Sequence, residues 1–237
     1  MPTQPPLVIY GNGQMARMLH EFMRHDFHVA AFTVDAHAIG EGMALLDGLP
    51  VLPFETLESP FPPDRCQMIM AVGHVQMNRL RAARYLQAKA RGYRFINYIH
   101  PSVVRHASVE WGENNVVLDH VAVHPFSRIG NGNFICSNAS IGHGCRIDDD
   151  CLINSGVSIA GETHIQSGCF LGANATVADN ITVGDHCYIG ANTLVAKSTG
   201  AGQTVISAPG ERFPMGSDDF LTFTRRRPAT PASPAIP

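Results

Sequence analysis

The sequence predicts an α/β domain followed by an all-β solenoid, and two observations carry that prediction. The first is an aliphatic side chain, or in one case a tryptophan, on every sixth residue from position 111 to position 195. Such a sixfold repeat is typical of solenoids built from short stacked strands. The second is a short apolar strand followed at once by a glycine turn and a helical pattern near the N-terminus, which is typical of a βαβ unit. The sixfold series runs through Trp111, Val117, Val123, Ile129, Ile135, Ile141, Ile147, Ile153, Ile159, Ile165, Leu171, Val177, Val183, Ile189 and Val195.

Length and composition limit the class of protein. A chain of 237 residues with the repeat confined to its second half predicts two domains. A formal charge of −3 with 16% charged residues argues against nucleic acid as a partner, because phosphate binding favours a basic surface. The chain has no apolar run of about 18 residues, and its N-terminus lacks the basic start of a signal peptide. We therefore expect a cytoplasmic protein with no membrane partner.

Six cysteines occur, and four of them share one position in the repeat. Cys145, Cys151, Cys169 and Cys187 each follow an aliphatic residue of the series by four places, where small side chains predominate. We expect them to be reduced thiols that fill the core of a cytoplasmic protein. No CxxC pair suggests zinc, and we expect no metal.

Residues 1–98 are predicted to form a small Rossmann-like βαβ domain with a parallel sheet. Apolar runs bounded by Gly, Pro or Asp predict the strands, and amphipathic patterns predict the helices. In chain order these are a strand at 7–10, a glycine turn, a helix that extends to about 23, a strand at 29–34, a short edge element at 49–52, a strand at 68–73, and a helix at 78–91 with Leu80, Ala83, Tyr85, Leu86 and Ala90 as its apolar residues.

The glycine turn of this domain predicts a site for an anionic group. Gly11, Gly13 and Ala16 form a GxGxxA pattern that leaves backbone N–H groups and the positive helix end free for a phosphate or carboxylate. A turn that needs glycine only for its conformation is the alternative. Asp35 closes the second strand, where an acid that contacts ribose or base often stands. Because 98 residues are few for a full dinucleotide fold, a single nucleotide or nucleotide-sugar is favoured over NAD.

Residues 99–212 are predicted to form the solenoid, and residues 213–237 a C-terminal tail. The segment 99–102 opens the repeat in phase, with Arg105 in one aliphatic slot. The phase is lost after Val195, and 204–207 is the last strand-like stretch. The three arginines at 225–227 resemble a solvated basic cluster more than a phosphate site, and we expect the final ten residues to be disordered.

The repeat also predicts which polar residues lie together. If three hexads make one coil, residues 18 apart stack in a column, which places Gly161 directly over His143. His143 is predicted to be exposed at a corner, and Gly161 to leave a backbone N–H open to a ligand. A histidine that accepts a proton beside an N–H that stabilises a developing oxyanion is sufficient for acyl transfer from a thioester. The alternative is a surface histidine without a catalytic role. The whole column is Pro125, His143, Gly161, Asp179 and Lys197.

Short motifs follow one another in a specific order over almost the whole chain, from about residue 7 to residue 213. They are Gly11-Asn12-Gly13, the run 32–35, Leu49-Pro50-Val51, the run 71–73 followed by Arg79, the run 99–102, the run 138–145, and Ala160-Gly161. In this order and spacing the chain resembles the bacterial hexapeptide-repeat acyltransferases that modify sugars in surface-glycan synthesis. That family contains sialic acid O-acetyltransferases and the N-acetyltransferases of nucleotide-linked amino sugars.

The resemblance implies a left-handed parallel β-helix that forms a homotrimer, with acetyl-CoA lying between neighbouring subunits. It implies that His143 is the catalytic base, that the amide of Gly161 faces the acetyl carbonyl, and that Asn138 lies near the substrate. The residues expected at the acetyl-CoA site are Gly161, Ala160, Asp179 and Pro209, and those expected at the nucleotide of the sugar are Gly11, Asn12, Gly13, Asp35 and Gly73.

Three positions depart from the pattern of the resembling family. Many members have an acidic residue after the catalytic histidine, whereas this chain has Gly144, so a carboxylate partner would come from elsewhere or from another subunit. Members often have a histidine at the position of Leu152. The usual Gly-Asn-Pro near the solenoid's end is replaced by 207–210, which leaves open how the phosphate end of CoA is held and whether another acyl-CoA is the donor.

The predicted function is acetyl-CoA-dependent N-acetylation of a nucleotide-linked amino sugar, with His143 as general base. O-acetylation of a sugar hydroxyl by the same residues is the first alternative. A metal-dependent protein that resembles the γ-class carbonic anhydrases is a remote one, suggested by His120, His124, His143 and His164. A non-catalytic ligand-binding trimer is a further one. The sugar, the nucleotide base, the acyl group and the role of the tail stay open.

Overall fold

The computed structural model of the chain describes residues 5–40 and 45–225. The chain divides into two compact units after Ser207. The first unit contains an α/β sheet and a long stack of two-residue strands, and the second contains one helix. Within the described ranges, no helix has the length and apolarity needed to cross a membrane.

A six-stranded sheet with two main helices forms the N-terminal part. Its strand order is β3-β4-β2-β1-β5-β6, parallel throughout except for the antiparallel pair β3 and β4. The predicted parallel sheet is therefore confirmed. The elements are β1 (Leu7–Tyr10), α1 (Gln14–Met23), β2 (Val29–Val34), β3 (Leu45–Leu46), β4 (Leu49–Pro53), β5 (Gln67–Met70), α2 (Arg79–Ala90) and β6 (Arg94–Phe95), with short 3-10 turns at Ala36–Ala38 and Phe54–Thr56.

Two details of this domain differ from the prediction. The strand at 49–52 is not an edge element, because it pairs with β2 on one side and β3 on the other. In α2 the buried residues are Arg81, Tyr85 and Ala88, whereas Leu86 is 64% exposed. The side of α2 that packs inward meets backbone carbonyl groups, and a guanidinium can donate to those groups while leucine cannot.

Strands of two residues stack in parallel over the rest of the first unit, so the predicted solenoid of the sequence is confirmed. Each strand pairs with the strand 18 residues further on, for example Val116 with Phe134 and Val117 with Ile135. The strands are β7 (Tyr98–Ile99), β8 (Val104–Arg105), β9 (Glu110–Trp111), β10 (Val116–Val117), β11 (Ala122–Val123), β12 (Arg128–Ile129), β13 (Phe134–Ile135), β14 (Ser140–Ile141), β15 (Arg146–Ile147), β16 (Leu152–Ile153), β17 (Ser158–Ile159), β18 (His164–Ile165), β19 (Phe170–Leu171), β20 (Thr176–Val177), β21 (Thr182–Val183), β22 (Tyr188–Ile189), β23 (Leu194–Val195) and β24 (Thr204–Val205).

The stack has three faces, one for each sheet. Face 1 contains β7, β10, β13, β16, β19, β22 and β24; face 2 contains β8, β11, β14, β17, β20 and β23; face 3 contains β9, β12, β15, β18 and β21. The second residue of each strand belongs to the sixfold series and points into one continuous core, in which the four predicted cysteines are also buried. Burial of these side chains away from water is the main stabilising term for the stack.

A left-handed backbone conformation occurs once in each hexad and turns each corner. Every sixth residue from Asn114 to Asn192 has a φ between +53° and +70°. Asparagine and glycine tolerate this conformation better than other residues, which explains why they recur at that position.

Face 1 is covered by the N-terminal domain. Its outward side chains Tyr98, Val116, Phe134 and Leu152 are buried in one cluster with apolar residues of β1, β2 and α1. Faces 2 and 3 are therefore the two that the described residues leave open.

The second unit contains α3, which runs from Ser217 to Arg225. This helix lies inside the region predicted to be a tail. The last two of the three clustered arginines, and the ten final residues expected to be disordered, lie outside the described residues.

Candidate active site

His143 and Gly161 lie together at the corner between face 2 and face 3. The turn after β14 carries His143, which is exposed, and the turn after β17 carries Gly161 one coil further on. A Cβ atom placed on Gly161 would lie 2.1 Å from Cε1 and 2.2 Å from Nδ1 of His143, so the imidazole occupies the space that a side chain would fill. The backbone N–H of Glu162 donates to the carbonyl oxygen of His143 at 2.8 Å and fixes this register.

The amide of Gly161 is available to a ligand. Its N–H donates to no acceptor among the described residues, whereas the neighbouring amides of Ala160 and Glu162 both do. On the other side, a Cβ atom on Gly142 would lie 2.7 Å from the Gly161 nitrogen, so glycine at 142 keeps that amide uncovered. An exposed imidazole and a free N–H are therefore adjacent, which is the geometry that stabilisation of an oxyanion needs.

Asn138 lies at a different corner of the same coil. The turn after β13 holds it between face 1 and face 2, with a φ of +62° and an exposed side chain, while its N–H donates to Asp119. Beside it Ser137 donates a hydrogen bond to the carboxylate of Asp119, and this bond holds the pKa of Asp119 below its ordinary value. Within one chain, face 2 separates Asn138 from His143.

The other residues expected at the acetyl-CoA site are dispersed. Ala160 precedes Gly161 and is half-buried, and Asp179 is exposed two coils beyond His143 in the same column. Pro209 belongs to the second unit and is exposed. Leu152 is buried on face 1, where the packing of the N-terminal domain calls for an apolar side chain.

Glu162 is an acidic residue at the corner of His143 that the sequence did not single out. Its Cγ would lie 3.4 Å from a Cβ atom placed on Gly144, so the side chain occupies the space left by that glycine. Among the described residues no carboxylate forms an ion pair with the imidazole of His143.

A cavity of about 520 Å³ lies at the carboxyl ends of β1, β2 and β5, and all five residues expected at the nucleotide line it. Gly11 requires glycine, because it has a φ of +141° and a Cβ there would lie 2.6 Å from the carbonyl oxygen of Ala71. Gly13 caps α1 without a side-chain hydrogen bond, so the first amides of that helix face the cavity region uncapped. The residues that sequence reasoning missed here include Tyr10, His37, Gln76, Leu80 and Arg84.

Asp35 is tightly held within this cavity wall. The hydroxyl of Tyr10 donates to it at 2.6 Å, and the guanidinium of Arg84 contacts it at 2.6 to 2.9 Å. Burial favours the neutral carboxyl, but the hydrogen bonds from Arg84 and Tyr10 outweigh that effect and lower the pKa of Asp35. The carboxylate is therefore ionised and locked in orientation.

A second cavity of about 520 Å³ lies on face 3. Its charged residues are paired: Arg128 with Glu110 at 3.1 Å, and Arg146 with Asp148 at 2.6 Å. His164 also contacts Asp148 at 2.7 Å. Within the described ranges, no group of three or more His, Cys, Asp or Glu residues is arranged to hold a metal ion.

Comparison with known proteins places these features in context. The family model described as bacterial transferase hexapeptide (six repeats) matches residues 126–161 and 162–197. No curated protein sequence matches the chain.

Several solved structures are similar over most of their length. A histidine mutant of perosamine N-acetyltransferase from Caulobacter crescentus, in complex with CoA and GDP-perosamine, is 27% identical with a TM-score of 0.78, covering 88% of this chain and 96% of that one. The acetyltransferase domain of PglB from Neisseria gonorrhoeae is 23% identical with a TM-score of 0.77, covering 89% and 100%. WeeI from Acinetobacter baumannii is 21% identical with a TM-score of 0.75, covering 85% and 96%. The last two show the fold alone.

Proposed function

The chain belongs to the bacterial hexapeptide-repeat sugar acyltransferases of the left-handed β-helix class, and we propose that it transfers an acetyl group from acetyl-CoA to the amino group of a nucleotide-linked amino sugar. The observation that carries the proposal is the exposed imidazole of His143 lying against the free amide of Gly161. A nucleotide-sized cavity in the N-terminal domain supports the acceptor, as does the GDP-perosamine bound by the Caulobacter crescentus protein.

His143 acts as general base in the proposed mechanism. The neutral amine attacks the thioester carbonyl carbon, and His143 accepts the proton that the amine loses as the C–N bond forms. The N–H of Gly161 donates to the carbonyl oxygen while it carries negative charge. The C–S bond then breaks, and the imidazolium returns its proton to the sulfur of CoA, so the histidine ends neutral.

We infer a homotrimer whose subunits turn face 2 toward the threefold axis. The outward side chains on the middle of face 2 are small and uncharged, whereas face 3 carries ion pairs and face 1 is covered. In such a trimer the corner of Asn138 in one subunit meets the corner of His143 in the next, which supports a site shared between subunits with acetyl-CoA in the groove. The middle residues of face 2 are Ala122, Ser140, Ser158 and Thr176.

The proposed reaction takes place in the cytoplasm, since acetyl-CoA and nucleotide-linked sugars are made and used there.

An assay of CoA thiol release tests the proposed function. Purified protein is incubated with acetyl-CoA and, in turn, UDP-, GDP- and dTDP-linked amino sugars, and the acetylated product is identified by mass spectrometry. We expect turnover with an amino sugar and none with its 4-hydroxy counterpart.

His143→Ala is assayed beside the wild type, with His28→Ala as a matched control at an exposed histidine in the N-terminal domain. We expect His143→Ala to lower kcat by about 100- to 10,000-fold and the control to be unaffected. Acetylation of the hydroxyl sugar alone would favour O-acetylation instead, and unchanged turnover in His143→Ala would remove the mechanism.

A further inference from the structure

Arg84 and Asp35 form a charged pair in the wall of the N-terminal cavity. Nε of Arg84 donates to both carboxylate oxygens of Asp35 at 2.8 and 2.9 Å, and Nη2 donates to one of them at 2.6 Å. The side chain of Arg84 is 27% exposed and that of Asp35 is 11% exposed. Tyr10 holds the carboxylate from the other side. The guanidinium therefore has a fixed orientation at the edge of the space a ligand would occupy.

The donors that Arg84 keeps free form a second edge. Since Asp35 takes Nε–H and one N–H of Nη2, the remaining hydrogens are on Nη1 and on the outer side of Nη2. Nη1 uses one of its hydrogens for a 3.3 Å contact with Oε1 of Gln87. Two N–H groups are left, one on each terminal nitrogen, and these point in nearly parallel directions. Because Arg84 lines the cavity, a ligand can meet this fork.

A fork of two parallel donors fits a ligand edge with two adjacent acceptors. Guanine presents O6 and N7 in that arrangement, which is why arginine is its commonest partner. Adenine places a donor beside N7, cytosine presents a donor amino group, and uracil and thymine have a single carbonyl oxygen with no second acceptor beside it on the C5 side. Among the bases, guanine alone satisfies both free N–H groups at once.

A phosphate also has two acceptor oxygens, but it fits this position poorly. The adjacent carboxylate of Asp35 is ionised, so it neutralises Arg84 and repels an anion. The uncapped start of α1 after Gly13 offers the phosphates a separate set of donors. A neutral, polar base edge is the better complement to a neutral ion pair.

We propose that Arg84 is the base-reading residue of the substrate site and that the amino sugar is carried on a guanine nucleotide. This inference rests on the proposed function for its sugar-nucleotide acceptor. Asp35 and Tyr10 are positioning residues in it, because they hold the guanidinium without having to touch the base.

Equilibrium binding of free nucleotides tests this inference without any acetyl transfer. GDP, UDP, dTDP, ADP and CDP are titrated into the full-length protein by calorimetry at one salt concentration. We expect GDP to bind about ten- to a hundredfold more tightly than any of the others. Equal binding of UDP or dTDP would overturn the assignment of guanine.

Arg84→Lys is the informative variant, because lysine keeps the charge opposite Asp35 but has no planar fork. We expect it to bind UDP as the wild type does and to lose most of the preference for GDP. Arg94→Gln, at an exposed arginine of the same domain, is the matched control and should keep the preference. A variant in which all five nucleotides weaken equally would show that Arg84 holds phosphate, and an unchanged preference would show that another residue reads the base; either result overturns the proposal.

The two proposals fail separately. Acetylation of a UDP- or dTDP-linked amino sugar would refute the guanine assignment and leave the proposed function intact. Selective GDP binding without acetyl transfer to any acceptor would do the reverse.

Discussion

A single missing methyl group shapes the candidate active site. The imidazole of His143 lies where the side chain of residue 161 would be, and the amide beneath it is unpaired. Glycine at 161 thus gives the ring a resting place and gives the substrate carbonyl access to the N–H. The obstructing atoms are those of a flexible side chain, so the effect of filling that space falls on chemistry more than on folding.

Gly161→Ala should lower kcat/KM about 100-fold, because the new Cβ pushes the imidazole aside and covers the amide. The far-UV circular dichroism and the affinity for the free nucleotide should be unchanged. Steady-state kinetics beside Gly40→Ala, at a glycine with open space around it, provide the check. A wild-type rate for Gly161→Ala would mean that the amide plays no part.

At the scale of one element, α2 attaches the N-terminal domain to the stack. Arg81, fully buried, donates to the carbonyl oxygens of Val72, Asp150 and Cys151, and so links the two parts of the first unit. Asn78, at the start of the helix, donates to the carbonyl oxygens of Gly168 and Cys169. Polar groups rather than leucines form this junction, because it covers the backbone of a corner.

Arg81→Ala should destabilise the protein by about 3 kcal/mol, since three buried carbonyl groups lose their donor. Leu86→Ala, in the same helix at a position that is 64% exposed, should change the free energy of unfolding by less than about 0.5 kcal/mol. Urea denaturation followed by circular dichroism compares the two. Equal losses would mean that the packing of α2 has been assigned to the wrong face.

Five buried polar atoms lie along the seam between the N-terminal domain and the stack. They lack hydrogen-bond partners among the described residues and belong to Asn78, Arg81, Asn114, Asp150 and His186. Burial raises the pKa of Asp150 to about 6, with repulsion from Asp149 adding to it and the charge of Arg81 opposing it. Ionisation of Asp150 in the folded protein is therefore unfavourable.

This raised pKa has a definite consequence for stability. Between the ordinary value of 3.8 and about 6, the folded state holds a proton on Asp150 that the unfolded state has lost. The contribution of that proton is complete below 3.8 and is lost as the pH rises through 6. Asp150→Asn should remove this term, so the free energy of unfolding of the wild type minus that of the variant should fall by about 2 kcal/mol from pH 4 to pH 7. A constant difference across that range in denaturant titrations would contradict the assignment.

At the scale of the whole molecule, the three faces of the stack differ in what they can bind. Face 1 is covered by the N-terminal domain, face 3 carries ion pairs, and face 2 is nearly uncharged along its middle. An oligomer that uses face 2 brings Asn138 of one subunit toward His143 of another, whereas one chain keeps them at separate corners. The proposed active site is in this sense a property of the assembly.

Ser158→Arg, on face 2, should dissociate the proposed trimer and reduce acetyl transfer at least tenfold, because it places like charges around the axis. Light scattering coupled to gel filtration gives the mass of the assembly. Thr182→Arg on face 3 is the control and should stay trimeric and active. A wild-type mass for Ser158→Arg would exclude face 2 as the interface.

The spacing of residues alone was enough to predict the stack, its inward side chains, and the meeting of His143 with Gly161. That was possible because a coil of 18 residues repeats at constant register, so sequence separation translates directly into position. The pairing of Arg84 with Asp35 joins residues 49 apart, and the burial of Arg81 in place of Leu86 depends on which side of α2 meets the corner backbone. Neither follows from a local pattern, because the partners come together only when a helix, a sheet and a solenoid corner pack against one another, and only the tertiary structure decides that.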